Sequence, residues 1–369
     1  MTNITATENI SSASAAAETW GVPLIAVVCE NCDWRFLTPE STDLGRCPHC
    51  SQPGLSLLET DLSQLPYTQP PELTLLHALN QAQLNQAIQT FASGIPYPPQ
   101  DLTPASLQAR LKRVYLPMWL VDASVKATWK AEAGFDYQVV SHQDHYSGSG
   151  WTSQQVKEGR IRWEPRLGRL ERSYANLVAP ALEDHPVLHK TLGAFDLAAA
   201  RAYQPNDTLK AFVRLPDRPP QDAWSDAQLV LQNAAAEECR QAARADHLRQ
   251  FAWQPEYKDQ HWTQLLLPVY TAFYLADDQQ PQTLLIHGQS GRTTGQRRAS
   301  LQRATRSALI TLGAAVLIFI LGLILAGASV AFPPLLVLGI LGMTLALVVG
   351  LGAIVPLARV WWFNRSQQT

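Results

Sequence analysis

From residue 307 to residue 358 the chain carries no Asp, Glu, Lys or Arg, and Leu, Ile, Val, Ala and Gly dominate. Upstream, apolar and polar positions alternate in the shorter periods of water-exposed elements. The uncharged run has 52 residues. At about 1.5 Å per residue it makes roughly 78 Å of helix, against a bilayer core about 30 Å thick. That is enough for two crossings and too long for one. Pro333-Pro334 falls in the middle, where helix propagation fails. The pattern therefore predicts a transmembrane hairpin over 307–358, with spans at 308–330 and 335–357. A stretch this long without a charge has no polar face to show water, which argues against a buried hairpin of a soluble protein.

Charge flanks the hairpin on one side only. Arg292, Arg297, Arg298, Arg303 and Arg306 precede it, Arg359 and Arg365 follow it, and its tip has none. The positive-inside rule then puts both termini in the cytoplasm. Trp361, Trp362 and Phe363 read as an interfacial belt, with the nearby arginines at the headgroups. Gly342, Ala346 and Gly350 form a small-residue stripe on the second span, and Ala314, Ile318, Gly322 and Ala326 one on the first. Packing of the hairpin on itself is the plain expectation; oligomerisation through the stripe is the alternative. With no charge inside the membrane, the spans read as an anchor and not an ion pathway.

Upstream, 72–92 has Leu76, Leu79, Leu84, Ile88 and Phe91 near helical spacing, and Thr103-Pro104 opens a second short helix. Period two follows. Tyr115, Trp119, Val121, Val125 and Trp129 share one parity, Asp122, Lys126 and Lys130 the other. More strands are predicted around Trp151, at 160–164 and at 170–178. A helix is predicted over 223–249, and a last strand pair at 263–275 and 283–287, turned by Asp277-Asp278. Leu116-Pro117-Met118-Trp119 echoes Leu267-Pro268-Val269-Tyr270. The expected fold is α+β: an N-terminal zinc ribbon, an antiparallel α+β middle domain and the C-terminal hairpin. In residues this gives a disordered tail 1–20, ribbon 21–61, linker 62–71, α+β domain 72–291, basic juxtamembrane segment 292–306, hairpin 307–358 and cytoplasmic tail 359–369.

The ribbon rests on Cys29-Glu-Asn-Cys32 and Cys47-Pro-His-Cys50. Two such knuckles aim four thiolates at one ion, and the spacing suits Zn2+, with Fe in a rubredoxin-like site as the alternative. His49 lies between two ligands, but four cysteines already fill the shell. Overall net charge is -2, and residues 1–61 set eight acidic side chains against Arg35 and Arg46. Phosphate contacts need Lys and Arg, so this ribbon's charge argues against nucleic acid.

Other clusters carry weaker chemistry. His142, Asp144 and His145, and Glu183, Asp184, His185 and His189, are ligand types, but their polar settings read as solvated loops. Gly288-Gln-Ser290-Gly291 has the wrong spacing for a nucleophile elbow and reads as a turn. The basic run Lys157, Arg160, Arg162, Arg166, Arg169 and Arg172 is punctuated by Glu158, Glu164 and Glu171, as on a solvated strand. Cys239 reads as a packed small residue.

Several of these pieces occur together in one family. The Cys29–Cys50 cluster is followed by a helix, by Val114-Tyr115-Leu116-Pro117-Met118-Trp119-Leu120-Val121-Asp122, then by Leu266-Leu267-Pro268-Val269-Tyr270 and His287-Gly288-Gln289-Ser290-Gly291-Arg292. Over residues 24–300 the chain resembles the bacterial membrane-anchored zinc-ribbon proteins labelled primosomal-helicase-like or TFIIB-type zinc-ribbon. It departs from them at His287, where members have Asn, and at Met118, where they have Phe. The resemblance implies a role in membrane-stress assemblies beside phage-shock protein A and SPFH-type membrane proteins. It transfers no catalytic residue. The expected function is a non-enzymatic adaptor or scaffold that binds a partner protein at the membrane. The alternative is a membrane-tethered nucleic-acid-binding module.

Overall fold

The computed structural model describes residues 20–58, 65–148, 150–329 and 332–367. The predicted tail lies outside them except for Trp20, and so do residues 62–64 of the predicted linker. Trp20 is no tail residue: it is 2% exposed, its Nε1 donates to the Thr68 carbonyl at 2.7 Å, and it meets Tyr203 edge-on.

The chain is mixed α+β around one large sheet. Its strands are β1 (Leu24–Cys29), β2 (Arg35–Pro39), β3 (Leu55–Leu57), β4 (Leu73–Thr74), β5 (Lys112–Ser147), β6 (Gly150–Ala179), β7 (Arg201–Ala202), β8 (Ala211–Arg214), β9 (His247–Leu275), β10 (Pro281–His287) and β11 (Thr293–Gly295). The main path runs β11-β10-β9-β5-β8-β2-β1-β3, with β6 on β5 and β4 on β7 and β9. Pairing is antiparallel except β4–β9 and β5–β8. The strands that flank the first cysteine pair, β1 and β2, are part of this sheet, joined through Phe36↔Arg214 and Leu37↔Val213.

β5 has 36 residues and β6 has 30. The three short strands predicted after residue 150 are therefore one, paired with β5 from Trp119↔Ala179 to Ser147↔Gly150. Polar residues on both faces hide its period in the sequence. β9 joins on the other side from Lys112↔Thr271 to Gly134↔His247. The result is a three-stranded arm standing out from the body. Its β5 contour is about 120 Å at 3.3 Å per residue.

The helix predicted over 223–249 is α4 below and ends at Ala242, because His247 onward belongs to β9. Among the described residues seven α-helices complete the fold: α1 (Gln81–Ser93), α2 (Pro104–Ala109), α3 (His185–Leu192), α4 (Pro220–Ala242), α5 (Leu301–Ala328), α6 (Leu335–Gly352) and α7 (Ile354–Ser366). α4 lies on one face of the arm. Ala223, Ala227, Leu231, Ala235 and Cys239 are buried at four-residue intervals, and Leu231 packs with Ala123, Val125 and Ala127. Small side chains on both surfaces let helix and strands approach closely.

The helix predicted from 72 starts later. Asn80 Oδ1 accepts from Gln83 N while Gln83 Oε1 accepts from Asn80 N, a capping box that starts α1 at Gln81. Leu73 and Thr74 are held as strand by β7 and β9. Thr103 caps α2 with Pro104 at its first turn, as predicted.

α5, and α6 continued by α7 after a break at Ala353, are long and apolar enough to cross a membrane. Their leucines and isoleucines face outward; Ile310 is 74% exposed. The turn falls at Pro333-Pro334. Both helices outrun the predicted spans, since α5 begins inside the basic segment and α7 ends at Ser366. Facing contacts are small. Ala308, Ala315 and Gly322 on α5, and Gly339, Ala346 and Ala353 opposite, are buried at seven-residue spacing. A Cβ on Gly339 would sit 2.7 Å from Ala326 N, and one on Gly342 3.3 Å from Gly322 Cα. One on Gly350 would touch the Ala315 methyl at 3.8 Å. The first-span stripe is thus one residue from its predicted place at Ala314, which is exposed.

The hairpin's base shares a core with the body. Ala299, Ala304 and Val360 cluster with Ile88, Phe91, Tyr270 and Tyr274. Asn364 accepts from Ala299 N and donates to Ala299 O, clasping the end of α7 to the start of α5. Ser300 caps α5, and Asp277 accepts from Ser300 Oγ and Gln302 N. The Asp277-Asp278 turn thereby fixes where the first apolar helix begins.

Two predictions follow from this packing. Gly339→Leu drives a branched side chain into the α5 backbone and should cost about 1–3 kcal/mol. Thermal unfolding in detergent should show the loss, with Gly327→Leu, where a Cβ meets open space, nearly neutral. The second concerns acid. Burial pushes His77 and His185 down to about 4 and lowers His287. These groups stay neutral in the folded chain while the unfolded chain takes up protons below about 6.5. The histidines' contribution is then level above about pH 6.5 and falls as pH drops below it, toward 4 for His77 and His185, by up to about 1.4 kcal/mol per pH unit for each. Melting temperature should fall from pH 7 to pH 5, and His287→Asn should flatten the slope.

Candidate metal centre

β1 delivers Cys29 to the end of a strand, and the chain turns at once. Asp33 N donates to Cys29 O at 2.9 Å, with Asp33 at φ +56°. The second knuckle repeats this four residues on from its own cysteine: Ser51 N donates to Cys47 O at 3.0 Å, with Ser51 at φ +59°. A bridge between Arg46 and Pro53 closes its base. Each turn aims two sulfurs the same way, and the knuckles face each other.

The four Sγ atoms lie within 4.8 Å of one another. Cys29 and Cys50 are separated by 3.6 Å, Cys32 and Cys47 by 3.8 Å. A tetrahedral ion with metal–sulfur bonds near 2.3 Å requires sulfurs about 3.8 Å apart. All four are free thiols, so donor set and spacing fit a four-thiolate metal ion. Among the described residues no other group of three or more Cys, His, Asp or Glu assembles in this way.

The centre is sunk in the main core. Cys29 and Cys47 are buried with Val27, Phe36, Val114, Leu116, Phe212 and Val269. Burial raises the Cys32 thiol to about 12 and pushes Cys47 up as well, with neighbouring thiolates adding to both. Burial also opposes ionisation of Cys29, but the backbone groups of Asn31 and Cys32 outweigh it and lower that thiol. A bound cation reverses this cost, so metal binding and thiol deprotonation go together.

His49 stays outside the ligand set. Its ring stacks on Trp34 at 3.5 Å and 7°, and burial pushes it down to about 4. Its backbone serves the centre: His49 N donates to Cys47 Sγ at 3.4 Å, and His49 O accepts from Thr283 on β10 at 3.1 Å. Lys112 on β5 donates to Arg46 O at 2.6 Å. Arg214 on β8 lies over Trp34, donating to Arg35 O and Asp217. Burial lowers both cations. Lys112, Arg214 and Thr283 were not legible as site residues, because each sits in a strand far along the chain.

The remaining sequence candidates disperse. His142 lies on the distal arm beside Gln155. Asp184, His185 and His189 sit on α3 and at its start. His287 organises its own turn: Nδ1 accepts from Gln289 N and Ser290 N, and the ring stacks on Phe195. A Cβ on Gly288 would come within 2.5 Å of Pro268 O, which is why that turn needs glycine. The basic run is largely self-paired, Arg160 with Glu158, Arg162 and Arg166 with Glu164, and Arg172 with Glu238. At the hairpin's base Arg297 lies over Phe91, Arg298 pairs with Asp278, and Arg303 donates to Pro98 O. Arg306 and Arg359 are exposed, and Trp361, with Arg365 over its ring, and Trp362 face outward.

No family model, curated protein or solved structure matches the chain.

Replacing one buried ligand leaves three thiolates and an incomplete shell. Cys47→Ser should weaken metal binding at least about 100-fold, with loss of folded protein on chelation. Metal analysis of the purified chain, and the visible spectrum after Co2+ substitution, check this.

Proposed function

We propose that the protein is a cytoplasm-facing, membrane-anchored adaptor. A zinc-stapled head and a long β arm hold a partner protein at the bilayer surface. The observation that carries this reading is the continuity of the molecule. Metal centre, arm and helix-hairpin base are built on one sheet, so the apolar helices fix in place everything the sheet presents. Anchoring raises the effective concentration of a captured partner without any new contact.

Zinc is favoured over iron because a buried centre whose shell is filled by four thiolates suits a structural role. Colourless purified protein supports zinc; an iron–thiolate absorption band overturns it. Positive flanks on both sides of the hairpin support cytoplasmic termini. The resemblance to membrane-anchored zinc-ribbon proteins supports a partner of the phage-shock-protein-A or SPFH type. The nucleic-acid reading is less favoured, since Arg160, Arg162, Arg166 and Arg172 of β6 pair with glutamates.

Crosslinking in intact membranes followed by affinity capture tests the adaptor reading. A specific protein should be recovered, and removal of the distal arm, 135–162, should reduce that recovery at least about tenfold. Recovery of nucleic acid alone, lost at raised salt, overturns it.

A further inference from the structure

The arm loses its third strand part-way along. β9 pairs with β5 only as far as Gly134↔His247, whereas β6 continues to Ser147↔Gly150. Thirteen residues of β5, 135–147, therefore have a backbone edge that no strand covers among the described residues. A two-stranded ribbon without a covering layer is marginal in water. This one also shows apolar groups outward: Val140 is 51% exposed, Tyr146 62% and Trp151 74%.

The free edges of the arm differ in protection. β6 is without charge or proline only over 150–156 at its tip; from there it carries Lys157, Glu158, Arg160, Arg162, Pro165, Arg166 and Arg169. The uncovered stretch of β9 carries Arg249, Pro255 and Lys258. Charges and prolines of this kind repel an incoming strand. The β5 segment Tyr137-Gln-Val-Val-Ser-His-Gln143 has no formal charge at neutral pH, no proline and no glycine. Its composition is that of a strand that accepts a neighbour.

We propose that this edge is a homodimer surface, on which the distal β5 of one protomer pairs antiparallel with the distal β5 of a second copy about a two-fold axis at Ser141. Length selects the occupant. The vacant edge is bounded by the start of β9 at one end and the arm's tip at the other. A second ribbon laid antiparallel brings its tip to the β9 boundary and fills 137–145 in both protomers at once, Asp136 N being already bonded to Asp246 Oδ2. It continues the seat that β9 occupies nearer the body. In this register Val139 opposes Gln143 of the second copy, Val140 opposes His142, and Gln138 opposes Asp144, so no like charges meet. The contact is isologous, so assembly closes at two copies. It is separate from the small-residue seam of α5 and α6, which the hairpin fills by itself, and it takes up only the β5 edge of the arm, leaving the β6 edge and the arm's faces to the partner of the adaptor reading.

The test uses full-length protein in detergent micelles. Ser141→Cys lies on the axis and should form a disulfide-linked dimer under mild oxidation. Wild-type protein and Ser173→Cys, exposed on β6, should not. Val140→Lys, at an exposed position, should weaken dimerisation at least tenfold by light scattering, with circular dichroism and metal content unchanged. Val139→Lys supplies the same readout if Val140→Lys alters the fold. A monomer at all concentrations overturns the proposal. So does a dimer that Ser141→Cys fails to link, or capture of a different protein at that edge in place of a second copy.

Discussion

The hydrogen-bond ladder of β5 is the constraint on which the rest of the structure depends. Its first residues pair with β8 on one side and β9 on the other, and its remaining length carries β6. Through β8 it holds the strands that flank the first cysteine pair; through β9 and β10 it holds the base of the apolar hairpin. Register in such a ladder is strict, because a one-residue slip turns every side chain to the opposite face. Val114, Leu116, Met118 and Leu120 would then leave the core that encloses the cysteines.

That arrangement explains why the four-cysteine centre is rigidly seated. Burying thiolates without a counter-charge is costly, and a divalent ion removes most of the cost. The surroundings contribute as well. Lys112 and Arg214 bring cations toward the centre, and Thr283 holds the second knuckle to β10. A metal ion bound here would consequently link its own binding to folding of the sheet, since the centre is buried in the main core.

Much of this was legible in the sequence because the signals were local. Four cysteines in two close pairs define a ligand set whatever surrounds them. A charge-free run broken by two prolines defines a helical hairpin, since neither water nor a small core accommodates it. The Thr103-Pro104 cap and the period-two pattern after Tyr115 were readable for the same reason. Other features were obscured. The capping box at Asn80 overrode the apolar spacing that extended α1 backwards, and the mixed polarity of β6 concealed a single 30-residue strand.

By itself, then, the sequence determined the four-cysteine cluster, the two apolar helices and the α+β class, because each follows from composition or spacing within a short window. Tertiary structure decided that the strands flanking the first cysteine pair join the main sheet, that Lys112, Arg214 and Thr283 gather around the knuckles, and that a long arm runs past its third strand. It also decided which small residues form the helix seam. These outcomes depend on pairings between residues tens to hundreds of positions apart, and no local period encodes which strand a backbone edge will meet.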